Sequence, residues 1–460
     1  MEILHIYHTN DLHSHFEHWP TISSLLTERR KWHEQAGDEV LVFDIGDHMD
    51  RWHPFSDATR GKGNCRLLNE AGYDAVTIGN NEGITLSYED LDIMYEKANF
   101  KVLAANLYRQ DGKRPEWAIP SAMYITRTGT RIGVIGLTVF FEHFYELLGW
   151  KLTEPFNELK NVLKELRGKT DIIILLSHLG IHDDEAIARH FPEIDVILGG
   201  HTHHLLHEGK EIGNCLLAAA GKHGLFAGHI TLAIDTGTKK LAGKKAILYD
   251  VNDLPAPMDE KEQIDRLYSA GKSLLEDSVI NLPIALPADH FKDSRLTGLL
   301  CQGLKQWCDA DCALVNAGLL LDGLPAGTVT HFDLLSICPH PINPCTVELT
   351  GAELKEVLLQ SRDEKWPHMQ IKGLGFRGTV MGKMIYDGIE FKRELPAAEG
   401  INIMGAPLDI EKRYKLAIPD MFTFGRFFPE IFRAKKKHYW FPEFLRDVLK
   451  WKILQEFGEG

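Results

Sequence analysis

Short apolar runs, each closed by a polar or glycine-bearing turn, recur through the first half of the chain. They are Ile3 to His8, closing on Asn10-Asp11; Val40–Phe43, closing on Asp44-Ile45-Gly46-Asp47; Ala75–Ile78, closing on Gly79-Asn80; and Val102–Ala105, closing on Asn106. Ile132–Leu137 follows, then Ile172–Leu176, closing on Ser177-His178, and Val196–Leu198, closing on Gly199-Gly200-His201-Thr202-His203. Runs that stay apolar at successive positions are strands covered on both faces. Helix-like stretches such as Thr21–Gln35 and Glu154–Arg167 lie between them. The pattern predicts a layered α/β domain. It breaks at Leu254-Pro255-Ala256-Pro257, where a polar helical stretch runs from Met258 to about Ser278. A second region after Asn281 carries helix-like Leu296–Cys308 and Ala352–Ser361 among short strands, and an amphipathic stretch, Pro442–Phe457, near the end. The expected division is a domain over 1–255, a linker helix over 256–280 and a second domain over 281–460.

Composition narrows the class. The chain has 460 residues, 44% hydrophobic, with 51 Lys+Arg against 65 Asp+Glu and a formal charge of −14. Such a composition excludes a disordered chain. The acidic balance argues against a nucleic-acid polymer or an anionic membrane surface as partner. No apolar run reaches the roughly 18–20 residues of a membrane-spanning helix. The start has neither a basic segment nor a long apolar core, so a cytoplasmic location is expected. Seven cysteines without a CxxC pair make a poor disulfide framework and are expected to be reduced and buried.

Eighteen of the 23 histidines precede residue 256. Several sit at the strand ends, in Asp11-Leu12-His13, Ser177-His178 and Gly199–His203, beside Gly46-Asp47 and Gly79-Asn80. In layered α/β folds ligands gather at the carboxyl ends of strands. The donor set Asp11, His13, Asp47, Asn80, His178, His201 and His203 is all oxygen and nitrogen, which suits Mn²⁺, Fe or Zn²⁺. Seven ligands exceed one four-coordinate ion and fit two divalent cations sharing a carboxylate, a pair that activates water against phosphorus.

These motifs, with the opening Thr9-Asn10-Asp11-Leu12-His13, resemble the signature of the calcineurin-like metallophosphoesterases, in their 5'-nucleotidase branch. A closer likeness is to the cytoplasmic YunD-like subgroup of bacilli. Asn316-Ala317-Gly318, Leu324–Thr330, Glu348–Leu354 and Tyr414-Lys415-Leu416-Ala417 resemble that branch's C-terminal substrate domain. The resemblance implies a four-layer α-β-β-α sandwich followed by an α+β substrate domain that closes over the metals. It implies one cation on Asp11, His13, Asp47 and His203 and another on Asp47, Asn80, His178 and His201. The implied activity is hydrolysis of a phosphate ester, most simply of a nucleotide, by metal-bound hydroxide. A nucleotide pyrophosphatase or cyclic phosphodiesterase, a thiosulfonate-type hydrolase and a metal-loaded nucleotide sensor with little turnover are the alternatives.

The sequence departs from the family at Gly79-Asn80-Asn81-Glu82-Gly83-Ile84. Asn81 stands where the family has a catalytic histidine, and Ile84 where it has the acid that orients it. Asn81 is left as a hydrogen-bond donor to the developing oxyanion. His48, with Asp50 to orient it, either replaces the lost imidazole or packs beneath the site. In the second domain the resemblance implies phosphate held by arginines and a base stacked between two phenylalanines, with substrate contacts near Asn316 and Gly318. Leu321 stands where one arginine is expected, so Lys292 and Arg295 are the candidates for phosphate, and His340 and Phe422, near the two stacking positions, for the base. The segment Phe424-Gly425-Arg426-Phe427 replaces the acid-bearing loop of the family.

Overall fold

The run Ile172–Leu176 is apolar throughout because both of its faces are covered. Ile172, Ile174 and Leu176 point into a core shared with Leu4, Ile6, Leu41 and Phe43 of a second sheet. Ile173 and Leu175 point the other way, onto Leu159, Val162, Leu163 and Leu166 of one helix and Ile181 and Ile187 of another. Successive side chains of a strand leave on opposite faces, so one apolar run serves two interfaces. The computed structural model describes residues 1–392, 400–425 and 427–458.

Contacts divide the chain into Met1–Gly271 and Lys272–Gly460. The first unit holds two sheets. One has seven strands, in the order Leu241–Asp250, Phe226–Ile234, Glu2–Thr9, Glu39–Asp44, Ala75–Val76, Lys101–Leu103 and Ala118–Ile119. The other has six, in the order Lys210–Ile212, Cys215–Ala218, Val196–Gly199, Ile172–His178, Arg131–Thr138 and Ser121–Ile125. The sheets pack face to face, and helices cover their outer faces: Trp19–Ala36 against Glu39–Asp44, and Pro155–Leu166 with Ile181–His190 against the second sheet. This is a four-layer α-β-β-α sandwich. Pro20 starts the first helix, and Gly37 at φ 88° ends it.

The second unit is α+β. Its five-stranded sheet runs Met384–Asp387, Cys312–Asn316, Arg413–Pro419, Pro344–Thr350 and Lys437–Tyr439. All pairs are antiparallel except Cys312–Asn316 with Arg413–Pro419. Helices Arg295–Trp307 and Leu445–Phe457 pack against each other. The stretch read as one helix from Met258 to about Ser278 is helical over Glu260–Leu274 only. Ser278–Leu282 instead pairs with Gly327–Thr330, where its backbone groups find ladder partners. All seven cysteines are free and buried.

His8 shares the inward face of Leu4 and Ile6, and neither of its ring nitrogens has a hydrogen-bond partner among the described residues. Gly228 lies opposite it in the ladder, where a side chain would overlap the ring. Burial pulls this imidazole down to about 4, against about 6.5 in an unfolded chain. As pH falls, the unfolded state therefore takes up the proton first. The stability contributed is complete above about pH 6.5 and is lost as pH falls towards about 4. The thermal midpoint of His8→Leu is expected to fall less steeply than that of the wild type across this window. Parallel pH profiles would exclude His8 as a source of acid sensitivity.

Candidate metal centre

Asp11 and His13 follow the strand Glu2–Thr9, Asp47 follows Glu39–Asp44, and Asn80 opens a short helix after Ala75–Val76. His178 ends its own strand, and His201 and His203 follow Val196–Gly199. The loops turn sharply. Asp11, His13, Ser14, Asp47, His201 and His203 all have φ between 51° and 68°. Each such non-glycine residue costs about 1–2 kcal/mol. A backbone ladder holds them there: Asp11 N–H to Gly46 O at 3.0 Å, His13 N–H to Asp47 O at 2.8 Å and Ser14 N–H to His48 O at 3.0 Å. Gly46, at φ 87°, passes so close to Gly79 that a side chain would overlap its amide nitrogen.

The side chains converge. Nε2 of His13 lies 3.1 Å from Nε2 of His203 and 3.8 Å from Asp11 Oδ1, which is 3.4 Å from His203 Nε2. Two ligands of one tetrahedral zinc-sized ion stand about 3.3 Å apart, from bonds of about 2.0–2.1 Å. Asp47 Oδ2 is 3.7 Å from His13 Nε2 and 3.4 Å from His178 Nε2, so this oxygen lies between the two histidines. His201 Nδ1 meets Asn80 Oδ1 at 2.9 Å, and the His201 N–H donates to both Asp11 oxygens at 3.1 Å.

His178 tests whether these residues suit a cation. Its Nδ1 lies 2.6 Å from the carbonyl of Ile45, and its buried Nε2 has no hydrogen-bond partner while facing Asp47. Burial lowers the basicity of this ring, but the Asp47 carboxylate overrides it and pushes the imidazole up to about 10. Burial raises the Asp47 carboxyl, yet the same pairing holds it far below the usual range. A proton on His178 thus stands in the position a divalent cation takes when it displaces protons from its ligands. A ring with one nitrogen on a carbonyl and the other turned to a shared carboxylate has the orientation a metal ligand needs. Asp11, His13 and His203, and separately Asp11, Asp47 and His178, form groups whose ligand atoms lie within 4.8 Å of one another.

The supporting residues were not legible in the sequence. Glu82, 1% exposed, accepts the N–H groups of Asp47 at 2.9 Å, Gly79 at 2.8 Å and Met49 at 3.1 Å, tying two ligand-bearing loops together. Burial, reinforced by the Asp47 charge, pushes its carboxyl up to about 7. Ser177 donates to Asp184 behind His178. Trp52 Nε1 donates to the His13 carbonyl at 2.8 Å. The only sequence signal was the acid three residues after Gly79, the spacing of a capping box.

Other expected roles are corrected by placement. His48 does not face the ligands: it is 2% exposed, edge-on to Trp19 at 4.9 Å, and its Nδ1 meets the Asn64 amide at 3.2 Å. Asp50, expected to orient it, lies 3.5 Å from His13 Nδ1. The Asn81 amide nitrogen lies 2.8 Å from Asp47 Oδ2 and 3.0 Å from His13 Nδ1, so it is turned onto two expected ligands rather than outward. In the second unit, His340 is fully buried, stacked on Phe376 at 4.9 Å and held by the Leu319 carbonyl and the Arg377 N–H. Phe422 is fully buried among Phe427 and Phe428. Neither ring offers a free face to a base. Asn316 and Gly318 are also core, bonded to the Met381 carbonyl at 2.9 Å by a side-chain and a backbone N–H respectively. Lys292 and Arg295 are exposed, and the Arg295 guanidinium lies 5.2 Å over Phe457. Arg426 lies outside the described residues.

Comparison with known proteins agrees with this architecture. Residues 4–205 match the family model for calcineurin-like phosphoesterases, and residues 277–426 that for the 5'-nucleotidase C-terminal domain. The metallophosphoesterase YunD of Bacillus subtilis (strain 168) is 44% identical over 99% of this chain and all of its own length. A snake venom 5'-nucleotidase of Gloydius brevicauda is 24% identical over 92% of this chain and 81% of its own. The structure of Haemophilus influenzae NAD nucleotidase shares the fold, with a TM-score of 0.68 at 17% identity, covering 99% of this chain and 96% of that one. No described helix is long and apolar enough to cross a membrane. With paired sheets, clustered Asp and His donors and full-length similarity in agreement, the chain belongs to the calcineurin-like metallophosphoesterases, in the hydrolase branch that carries a 5'-nucleotidase C-terminal domain.

Proposed function

We propose that this protein hydrolyses the phosphate monoester of a nucleotide with two divalent cations of the Mn, Zn or Fe class. Asp11, His13, Asp47 and His203 would hold one and Asp47, Asn80, His178 and His201 the other, with Asp47 common to both sets. The observation that carries the reading is the buried Nε2 of His178, which has no hydrogen-bond partner and lies 3.4 Å from the shared Asp47 oxygen. When bound, such a pair polarises the phosphoryl oxygens and lowers the pKa of water towards neutrality. The protein's own part is orientation. The Ile45 carbonyl fixes the His178 ring, Asp50 lies against His13, and Glu82 holds the Asp47 and Gly79 loops in register. The nucleotide class is supported by the relatives whose names are 5'-nucleotidase and NAD nucleotidase.

Asn81 acts in this reading by positioning Asp47 and His13, since an amide cannot carry a proton at neutral pH. No imidazole then serves the leaving group at this position, where general acid help is typically worth about 10²–10⁴-fold. Slow turnover follows.

Three outcomes test the reading. Chelation should abolish phosphate release from nucleoside monophosphates, added Mn²⁺ should restore it, and Asp47→Asn should lower it at least about 100-fold, in line with the loss of a central catalytic interaction. Tight nucleotide binding by the Mn²⁺-loaded chain without phosphate release would replace the hydrolase reading with a sensor; release from pyrophosphates or cyclic diesters alone would move the substrate. Asn81→Ala should raise the Mn²⁺ concentration needed for half-maximal activity by about 10–100-fold, the usual cost of losing an outer-sphere partner. An unchanged metal requirement with a collapsed kcat would make Asn81 a group that acts on the substrate. Glu82→Ala should destabilise the fold by about 2–4 kcal/mol, because buried N–H groups lose their acceptor. A chemical-denaturation midpoint equal to wild type would reject that role.

A further inference from the structure

A second cluster of histidines lies away from the centre just described. His5, on the first strand, precedes Asp11 by six residues, about 20 Å of extended chain. Its face of the sheet lies under the helix Trp19–Ala36, and the last turn of that helix brings His33 onto it. His229 arrives from the neighbouring strand Phe226–Ile234, two ladder positions displaced from His5 and opposite Tyr7. His5, His33 and His229 are 8%, 2% and 8% exposed, and ring nitrogens from all three lie within 4.8 Å of one another.

We propose that His5, His33 and His229 form a third metal site, structural rather than catalytic, for a zinc-class divalent cation. Each ring has one nitrogen with an outer polar partner and one turned to its neighbours or left without a partner. His5 Nε2 lies 3.5 Å from Asp38 Oδ2, His229 Nδ1 lies 3.4 Å from the Tyr249 hydroxyl, and His33 Nε2 lies 2.9 Å from the Tyr7 hydroxyl. Of the remaining nitrogens, His5 Nδ1 and His229 Nε2 share a hydrogen bond at 3.0 Å, close to the spacing of two ligands on one tetrahedral ion, with the Thr231 hydroxyl 3.5 Å from His229 Nε2, and His33 Nδ1 is buried with no partner. Outer partners of this kind fix the tautomer that leaves the inner nitrogen free to bind metal. Three imidazoles suit zinc. Arg29, whose guanidinium lies 5.4 Å over Tyr249, opposes the cation, and Asp38 offsets it. The His33 ring turns out of its 3.5 Å stack on His5 on loading, since two stacked rings cannot aim their lone pairs at one point. The ion would clamp the end of the first helix to the sheet.

The test counts zinc and does not depend on activity. The full chain, stripped by chelator and dialysed against Zn²⁺, is analysed for bound zinc per chain, alongside folded His33→Gln and His229→Gln variants. The expected result is one zinc ion fewer in each variant than in the wild type, with a zinc-induced rise in thermal midpoint that shrinks by several degrees. The same comparison in an Asp47→Asn, His178→Gln background removes the contribution of the catalytic pair. A zinc ion retained there and lost on adding His33→Gln supports the site even where one single variant fails to fold. Equal zinc content with and without His33 in both backgrounds overturns it.

Discussion

The buried charge of Asp47 is the constraint around which the first unit is organised. Asp11, Asp44, Asp47, Asp50 and Glu82 are all 0–2% exposed. Carboxylates withdrawn from water are costly unless opposed by positive charge or hydrogen bonds. The hydrogen bonds are present, from the backbone N–H groups of Gly46, Asp47, Met49, Gly79 and Asn81 and from the Thr9 hydroxyl. They are not enough: burial pushes Asp44 and Glu82 towards their neutral forms, reinforced by the Glu82 charge at Asp44 and by the Asp47 charge at Glu82. Cations held among these groups would offset the excess, so the same cluster that costs folding energy suits a cation-binding centre.

The second consequence is backbone strain. Ligands from strand ends in two different sheets must point at one small volume, and right-handed or extended backbone does not turn that sharply. The left-handed residues of the Asp11–Ser14, Asp47 and His201–His203 loops supply the turn. Asp is among the residues whose short polar side chain best tolerates it. The interdigitated N–H ladder between the first two loops, together with the grip of Glu82 on the next, offsets the cost. The strain is therefore stored where the chemistry is, and the rigid paired sheets hold it in place.

The departures from the family pattern belong together. Asn81 turns its amide to the ligands, and His48 lies beneath them with its pKa pulled down to about 3 by burial. In the second unit His340 is likewise held neutral by burial, at about 3, within the core. The candidate Asp and His donors cluster, while the residues that differ from the family pattern are packed into the core or turned onto that cluster.

The strand-end motifs, the layered α/β class and the second domain were legible in the sequence, because strand, turn and donor are contiguous in the chain and a run of apolar residues reports burial on both faces. Asp11-Leu12-His13 and Gly199–His203 each place two donors within one turn, so their proximity is local. What faces what was not legible. Whether His340, Phe422 or His48 turned outward depended on packing partners distant in sequence, such as Phe376, Phe428 and Trp19. The grip of Glu82 on Asp47 and the meeting of His5, His33 and His229 exist only once strands have paired and a helix has docked. Local chain geometry is written residue by residue; the direction of a side chain is decided by whichever elements close over it.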